Sequence, residues 1–518
     1  ALEVKEYKLN NGLTIWLNED HSQPKVFGAV VVKAGAKDCP DTGIAHYFEH
    51  MMFKGTDKIG TINYEAEKVL LDSISAKYDE LAATEEEEDR TRIQKEINEL
   101  SIRSSEYVIP NEFNRLISKY GGSGLNAATS YDATIYFNTF SPQYMAQWAE
   151  INSERLLNPV FRLFQSELET VYEEKNMYGD FIGGPVMDRL LARYFAPHPY
   201  AYPIIGSTKN LKNPRLTEMR KFFEEYYVAS NMALILSGDF DTEAVLPILE
   251  RTFSRIRPGE APKKEMVAIP PFKGKEKMKV KFPVPLVRAM GLGFRGVPAN
   301  HEDQAALAIA VNMLNNANGT GFLDKLKIMA CMAMNESMNE AGILAVAVIP
   351  KLMLQTYGGA EKLVWREINR VKEGDFTDEI FNSLKQEQRR QYASNLENID
   401  SRARIMMSLC SQGKSWDEYL QEVAKINALT REDIMQVARK YFSENYLCVT
   451  KKTGKYPKDN LKKPDFTPVV PRNSESVSEY AKKLEQLPTQ IVKSHFIDFE
   501  KDVQTAKLSP LVTLYTVA

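Results

Sequence analysis

An α+β architecture built as two homologous α/β sandwich domains in tandem is predicted by three features of the sequence. Short strand-like runs alternate with amphipathic helical stretches along the chain. Pro258, Pro262, Pro270 and Pro271 punctuate residues 256–275, which read as a linker between the two units. A repeat also falls on either side of that linker. Leu216-Thr217, a helix into Tyr226-Tyr227, Asn231 and a strand from Ala233 to Leu236 are echoed by Leu429-Thr430, Tyr441-Phe442, Asn445 and a strand from Leu447 to Thr450. The expected units are residues 1–255, a second homologous domain at 276–455, a further linker at 456–486, and the start of another repeat at 487–518.

In chain order, Val4 to Leu17 read as paired strands, because Asn11-Gly12 places a tight-turn signal between alternating apolar positions. A strand follows at Val26 to Lys33. After the breakers Gly35, Pro40 and Gly43, the spacing of Ile44, Phe48, Met51 and Met52 predicts a helix. From about residue 63 to 112 the chain is helix-forming and highly charged, with Glu85-Glu86-Glu87-Glu88-Asp89 near its middle. It reads as a projecting, solvated helical insertion in the first domain. Gly121 to Gly124 open a strand-like stretch from Asn126 to Phe140, and helices continue to about Arg255. Near the end of the chain, Lys507-Leu508-Ser509-Pro510-Leu511-Val512-Thr513-Leu514-Tyr515 resembles Lys8 to Trp16, which is the basis for expecting a further repeat.

Composition narrows the function. The 518 residues are 43% hydrophobic and 26% charged, enough apolar material for several cores and too much for global disorder. Lys plus Arg number 66 against 69 Asp plus Glu, with no long basic run, so a nucleic-acid partner is not expected. Apolar runs such as Ile343 to Pro350 are far shorter than the roughly twenty residues of a membrane span. Cys39, Cys331, Cys410 and Cys448 are widely separated and indicate neither a disulfide framework nor a cysteine metal site.

The chemistry concentrates on His46-Tyr47-Phe48-Glu49-His50. Two histidines four apart project from one helical face and can grip one metal ion, while Glu49 can reach a water there without ligating the metal. The order H-x-x-E-H reverses the commoner H-E-x-x-H and serves the same chemistry. A catalytic zinc also needs a third protein ligand and an open position. The segment Glu167 to Asn176 reads as a helix with Glu167 and Glu174 two turns apart, and on spacing alone either Glu173 or Glu174 could ligate.

Ile44 to Thr56 resembles the signature of the pitrilysin and insulin-degrading enzyme family of zinc peptidases that carry this inverted motif. The likeness spans about residues 1 to 455. It implies that Glu174 is the third ligand and that Glu167 supports the site from behind. It further implies that Leu125 to Ser130 is a substrate-pairing edge strand, with Asn126 and Ala127 docking the peptide backbone. Pro197-His198-Pro199-Tyr200 with Gly206 matches as well, His198 being read as structural. The compartment is not legible in the residues, and only the resemblance leans to the bacterial periplasm.

Two departures stand out. Glu174 follows His50 by 124 residues, a longer interval than the family's, and the charged insertion accounts for the excess. Members of the family carry an Arg and, seven residues on, a Tyr that hold the substrate carbonyl. The matching positions here are Lys327 and Met334. The expectation is therefore a zinc endopeptidase acting on peptides or unfolded segments, with Glu49 as general base, completed by a C-terminal homologous half or a partner subunit. The alternatives are a non-catalytic binding or assembly subunit of the same fold, and a protein holding the metal for structure alone.

Overall fold

At the start of the chain, Asn11-Gly12 does turn it back on itself. β1 (Lys5–Lys8) and β2 (Thr14–Glu19) pair antiparallel, with Gly12 at φ 97°, a conformation that favours glycine. The computed structural model describes residues 2–181, 183–489, 500–501, 503–510 and 512–517. β3 (Val26–Val32), β4 (Ser123–Thr129), β5 (Thr134–Phe140) and β6 (Met232–Gly238) complete a six-stranded sheet in the order β1-β2-β6-β3-β5-β4. β3 and β6 are buried along their whole length, as their predominantly apolar sequences require, and so take the centre. β4, with small and polar residues, forms an edge.

A second sheet contains β7 (Lys275–Phe282), β8 (Met290–Arg295), β9 (Ala330–Ser337), β10 (Gly342–Ile349) and β11 (Tyr446–Thr453), in the order β7-β11-β8-β10-β9. It repeats the first sheet without β1. In each, one parallel pair (β2 with β6, β7 with β11) adjoins a run of antiparallel pairs. The strands that close the repeated sequence pattern, β6 and β11, hold equivalent places.

Residues alternate between the two faces of each strand, so these strands must be covered on both sides. On the first sheet, Val26, Val30, Leu234 and Leu236 face the helices of their own unit. Phe27, Ala29, Val31 and Ile235 face the helices Ile399–Gln412 and Trp416–Ala428 of the second unit. The exchange is reciprocal: Tyr194 and Phe195, at the end of a first-unit helix, pack on Val280, Leu447 and Val449 of the second sheet. Tyr194 Oη also donates to the Gly342 carbonyl at 3.0 Å. Each large apolar side chain in these layers contributes about 1.5–3 kcal/mol. The two units therefore share their cores.

The charged helical pair departs from its expected form. α1 is Ile44–Met51, and α2 (Tyr64–Ala82) and α3 (Glu87–Ser104) follow it, but they lie against the first unit instead of projecting. Ile74, Tyr78, Leu81, Ile93 and Ile97 join the main core, and Arg162 forms a buried bidentate pair with Glu67, Nε and Nη2 at 3.0 and 2.8 Å. Apart from Glu67, the charges lie mainly on the outer faces of the pair. An apolar stripe at helical spacing has to be buried whatever the charge on the opposite face.

Residues 456–486 also lie on the first unit, with Leu461 in its core and a short helix, Glu479–Leu484, packing Ala481 and Leu484 against Phe113, Ile117 and Ile151. Beyond them, β12 (Val503–Ser509) and β13 (Val512–Val517) form a separate hairpin. Lys507 pairs with Thr513 there as Lys8 pairs with Thr14 in the first hairpin. Of the segment 487–518 expected to open a further repeat, residues 490–499, 502, 511 and 518 lie outside the described residues.

Candidate metal centre

α1 is held on three sides. At its start, Gly43 sits at φ 71° against the 205–206 loop, where a Cβ would come within 2.2 Å of the Ile205 carbonyl oxygen. This close approach explains why Gly206 accompanies the motif. In its middle, Phe48 is fully buried among Phe222, Phe223 and Tyr227, and Tyr47 Oη donates to the Phe164 carbonyl at 2.7 Å. At its end, the fully buried Arg155 donates from Nε to the Met52 carbonyl at 2.9 Å. Its guanidinium lies 4.4–4.5 Å from the ring centres of Phe53, Phe113 and Tyr136. With Ala45, Tyr47, Phe48 and Met51 facing the core, His46, Glu49 and His50 are left on the opposite, half-open face.

The third group comes from the long helix Phe164–Asp180, which buries Phe164, Leu168, Val171 and Tyr172. Glu174 Oε2 is 3.4 Å from His46 Nε2, Glu174 Oε1 is 3.6 Å from His50 Nε2, and the two imidazole nitrogens are 3.3 Å apart. Nitrogen and oxygen ligands bound tetrahedrally to zinc at about 2.0–2.1 Å are separated by roughly 3.3–3.4 Å. The two imidazole nitrogens are thus spaced for one such ion, each has a Glu174 oxygen close by, and one donor atom from each of the three residues lies within 4.8 Å of the others. Among the described residues, they form the only grouping of three His, Cys, Asp or Glu side chains that converges in this way. Glu173 is exposed and outside the grouping.

Electrostatics prepare the donors. His50 Nδ1 faces Glu167 Oε2 at 3.1 Å, which places the ring proton on Nδ1 and the lone pair of Nε2 toward Glu174. Glu167 is in turn held by Lys54 Nζ at 2.8 Å. Against the effect of its burial, His50 and Lys54 bring the Glu167 carboxyl down to about 2. Burial, helped by His50, lowers His46 to about 4, so its ring is neutral at pH 7. Burial opposes a charge on His50 too, but Glu167, Glu174 and Glu49 outweigh it and raise this histidine. The Glu49 carboxyl is raised by burial and accepts from Thr129 Oγ1 at 2.5 Å.

The site therefore gathers His46, His50, Glu174, Glu167 and Glu49. Asn126 and Ala127 are one strand away: they lie on β4, Asn126 exposed and Ala127 half-buried, and the strand joins the site through Thr129. His198 lies elsewhere. It is buried where the two units meet, its Nδ1 accepting from Tyr200 N–H at 3.0 Å and its Nε2 3.2 Å from Glu340. Lys327 is an exposed residue just before β9 and Met334 a half-buried one on it, at the edge of the second sheet. Three residues of the site are not foreseen by the sequence reading. Lys54 and Thr129 fall inside the two segments that carry the resemblance, whereas nothing in the sequence singles out Arg155, the last residue of the helix Met145–Arg155.

Comparison with known proteins points to one family of peptidases. Residues 14–71 match the family model described as insulinase, peptidase family M16, and residues 215–388 match the one described as peptidase M16 inactive domain. The zinc protease PqqE of Helicobacter pylori is 23% identical over 367 residues, 67% of this chain and 80% of that protein. The crystal structure of a protease from Helicobacter pylori superposes with a TM-score of 0.69 at 19% identity, covering 87% of this chain and 99% of that one. The first half of the periplasmic protease PqqL from Escherichia coli gives 0.65 at 16% identity, covering 94% and 98%. With both family models, the fold and the inverted histidine motif in agreement, this chain belongs to the M16 family of peptidases.

Proposed function

We propose that this chain is a zinc-dependent endopeptidase acting on peptides or unfolded segments of polypeptide. The observation that carries the proposal is the convergence of His46, His50 and Glu174, one donor atom from each within 4.8 Å of the others, with the Glu49 carboxylate beside them bonded to an edge strand. His46, His50 and Glu174 would hold the ion. When bound, zinc would polarise a peptide carbonyl and ease the deprotonation of water. Glu49 takes the proton from the attacking water and returns it to the leaving amine, and the burial that raises its carboxyl helps it do both. Glu167 keeps His50 in the ligating tautomer.

β4 has no outer neighbour among the described strands, so an extended peptide can add to it by backbone pairing, with Asn126 and Ala127 on that edge. Such pairing reads shape more than sequence, which suits unfolded substrates. The Helicobacter pylori relative is named a zinc protease, and the same chemistry is inferred here. Lys327 and Met334 provide no Arg and Tyr pair for the substrate carbonyl. We infer that a second homologous half or partner subunit supplies those donors, in line with the match to the first half of PqqL.

That same absence favours one other reading, a non-catalytic subunit that binds peptides. Zinc content and cleavage of a mixed peptide substrate, in wild type and Glu49→Gln, separate the two. Cleavage that requires both zinc and Glu49 supports the peptidase. Zinc binding without cleavage, even with the homologous half present, would establish the binding subunit.

A further inference from the structure

The helix that carries Glu167 and Glu174 is unevenly supported. Its buried side chains end at Tyr172, and after Glu174 it is largely open, with Met177 and, just beyond its end, Phe181 on the surface. His50 is braced by Glu167, and Glu167 by Lys54. Glu174 has no brace of this kind: among the described residues its carboxylate meets only the two histidines. Its position therefore depends on where the helix axis lies.

Within the first unit, Lys175 Nζ donates to the Gly206 carbonyl at 2.8 Å and Tyr178 Oη to Asp188 at 3.1 Å, and the chain returning from the second unit ties the axis down further. Asn176, two residues beyond Glu174, bonds both backbone groups of Leu461: Nδ2 donates to the carbonyl at 3.1 Å, and Oδ1 accepts from the N–H at 3.0 Å. Asn98 on α3 treats Thr467 the same way, at 2.9 and 3.0 Å, and also donates to Gln165 Oε1 near the start of the Glu174 helix at 3.1 Å. Between the two pins, Lys463 pairs with Glu169 at 3.0 Å. Leu461 itself is buried in the first core.

The lengths agree with a strap laid along the helix. Gln165 to Asn176 is eleven residues of helix, about 17 Å. Leu461 to Thr467 is six residues of extended chain, about 20 Å. Each asparagine amide supplies one donor and one acceptor to a single residue, as a neighbouring strand would.

We propose that residues 461–467 form a clamp on the Glu174 helix, and that Asn176, as a positioning residue, sets the metal affinity of the site by holding Glu174 in register with His46 and His50. This rests on the metal-site reading above. A metal site tolerates ligand errors of only about 0.5 Å. A helix end freed to move by more than that would lose its ligand part of the time.

The test is zinc affinity, measured on folded apo-protein by competition with a chromophoric chelator. Asn176→Leu should weaken zinc binding by roughly tenfold, the scale on which groups behind metal ligands act. Asn98→Ala, at the far pin, should weaken it less. Both states compared are folded, so loss of fold stability alone would leave the affinity unchanged. If Asn176→Leu fails to fold, the strap can be cut after folding, at a protease recognition sequence placed between the two pins at the exposed Lys462 and Lys463. The cut protein should show the same loss.

Affinity within twofold of wild type, in Asn176→Leu or in the cut protein, overturns the clamp. Two controls keep this distinct from failure of the metal site. A wild type that binds no zinc, or a Glu174→Gln variant with full affinity, would remove the metal reading and the clamp with it.

Discussion

Replacing Glu167 with Gln tests how far the metal centre depends on a residue that does not touch the metal. The carboxylate braces His50 at 3.1 Å and is itself held by Lys54 at 2.8 Å. Its fall from the ordinary 4.5 to about 2 corresponds to about 3 kcal/mol of preference for the ionised form. The group is partly exposed, and solvent screening reduces that to roughly 1.5 kcal/mol. Glutamine keeps the shape and removes the charge. Zinc affinity should therefore fall by roughly tenfold, the lower end of what loss of an outer-shell partner costs. Chelator competition on apo-protein gives the number directly.

The same change alters the dependence of stability on pH. Because the folded-state value is depressed, the contribution of Glu167 to folding is fully present above about 4.5 and is lost as pH falls toward 2. Wild type and Glu167→Gln, compared as apo-proteins by denaturant unfolding, should converge in that window. Zinc affinity within twofold of wild type, or a stability difference that does not narrow in acid, would refute the brace.

Other substitutions probe the remaining roles. Glu49→Gln should retain zinc and lose at least a hundredfold in peptide cleavage, because an amide cannot accept the proton from water. Substantial turnover in a preparation whose wild type is active would remove Glu49 from that role. Glu174→Gln should lose zinc affinity where Glu173→Gln does not, since only the former lies within reach of both histidines. Equal retention by metal analysis would overturn the ligand assignment. Arg155→Ala should cost about 3 kcal/mol by denaturant unfolding, through loss of the bond to Met52 and the contacts with three rings. Arg155→Met, which fills the space without a buried charge, should cost less. A larger loss for Met than for Ala would show that the cation is required for more than anchoring.

Local physics made a good part of this protein readable in the sequence. The i, i+4 spacing of His46 and His50 determines that both rings share one helical face, whatever surrounds the helix. Asn11-Gly12 determines a hairpin, and the apolar runs at Val26–Val32 and Ala233–Leu236 determine strands, whose central place the fold decided. The rest is contributed by groups distant in the chain. Spacing left Glu173 and Glu174 equivalent. Only the packing of Phe164–Asp180 through Leu168, Val171 and Tyr172 turns Glu174 toward the histidines and leaves Glu173 in water. The charged helical pair read as projecting because charge is visible in composition, whereas the stripe of Ile74, Tyr78 and Leu81 acquires meaning only when a surface is found to cover it. Arg155 could not be recognised as a support of the metal helix, because Phe53, Phe113 and Tyr136 meet around it from three separate elements. Nor could a proline-rich linker announce that it returns to pin the helix bearing Glu174. Periodicity along one element is encoded locally, whereas the partner of a side chain is decided by which elements the fold brings together.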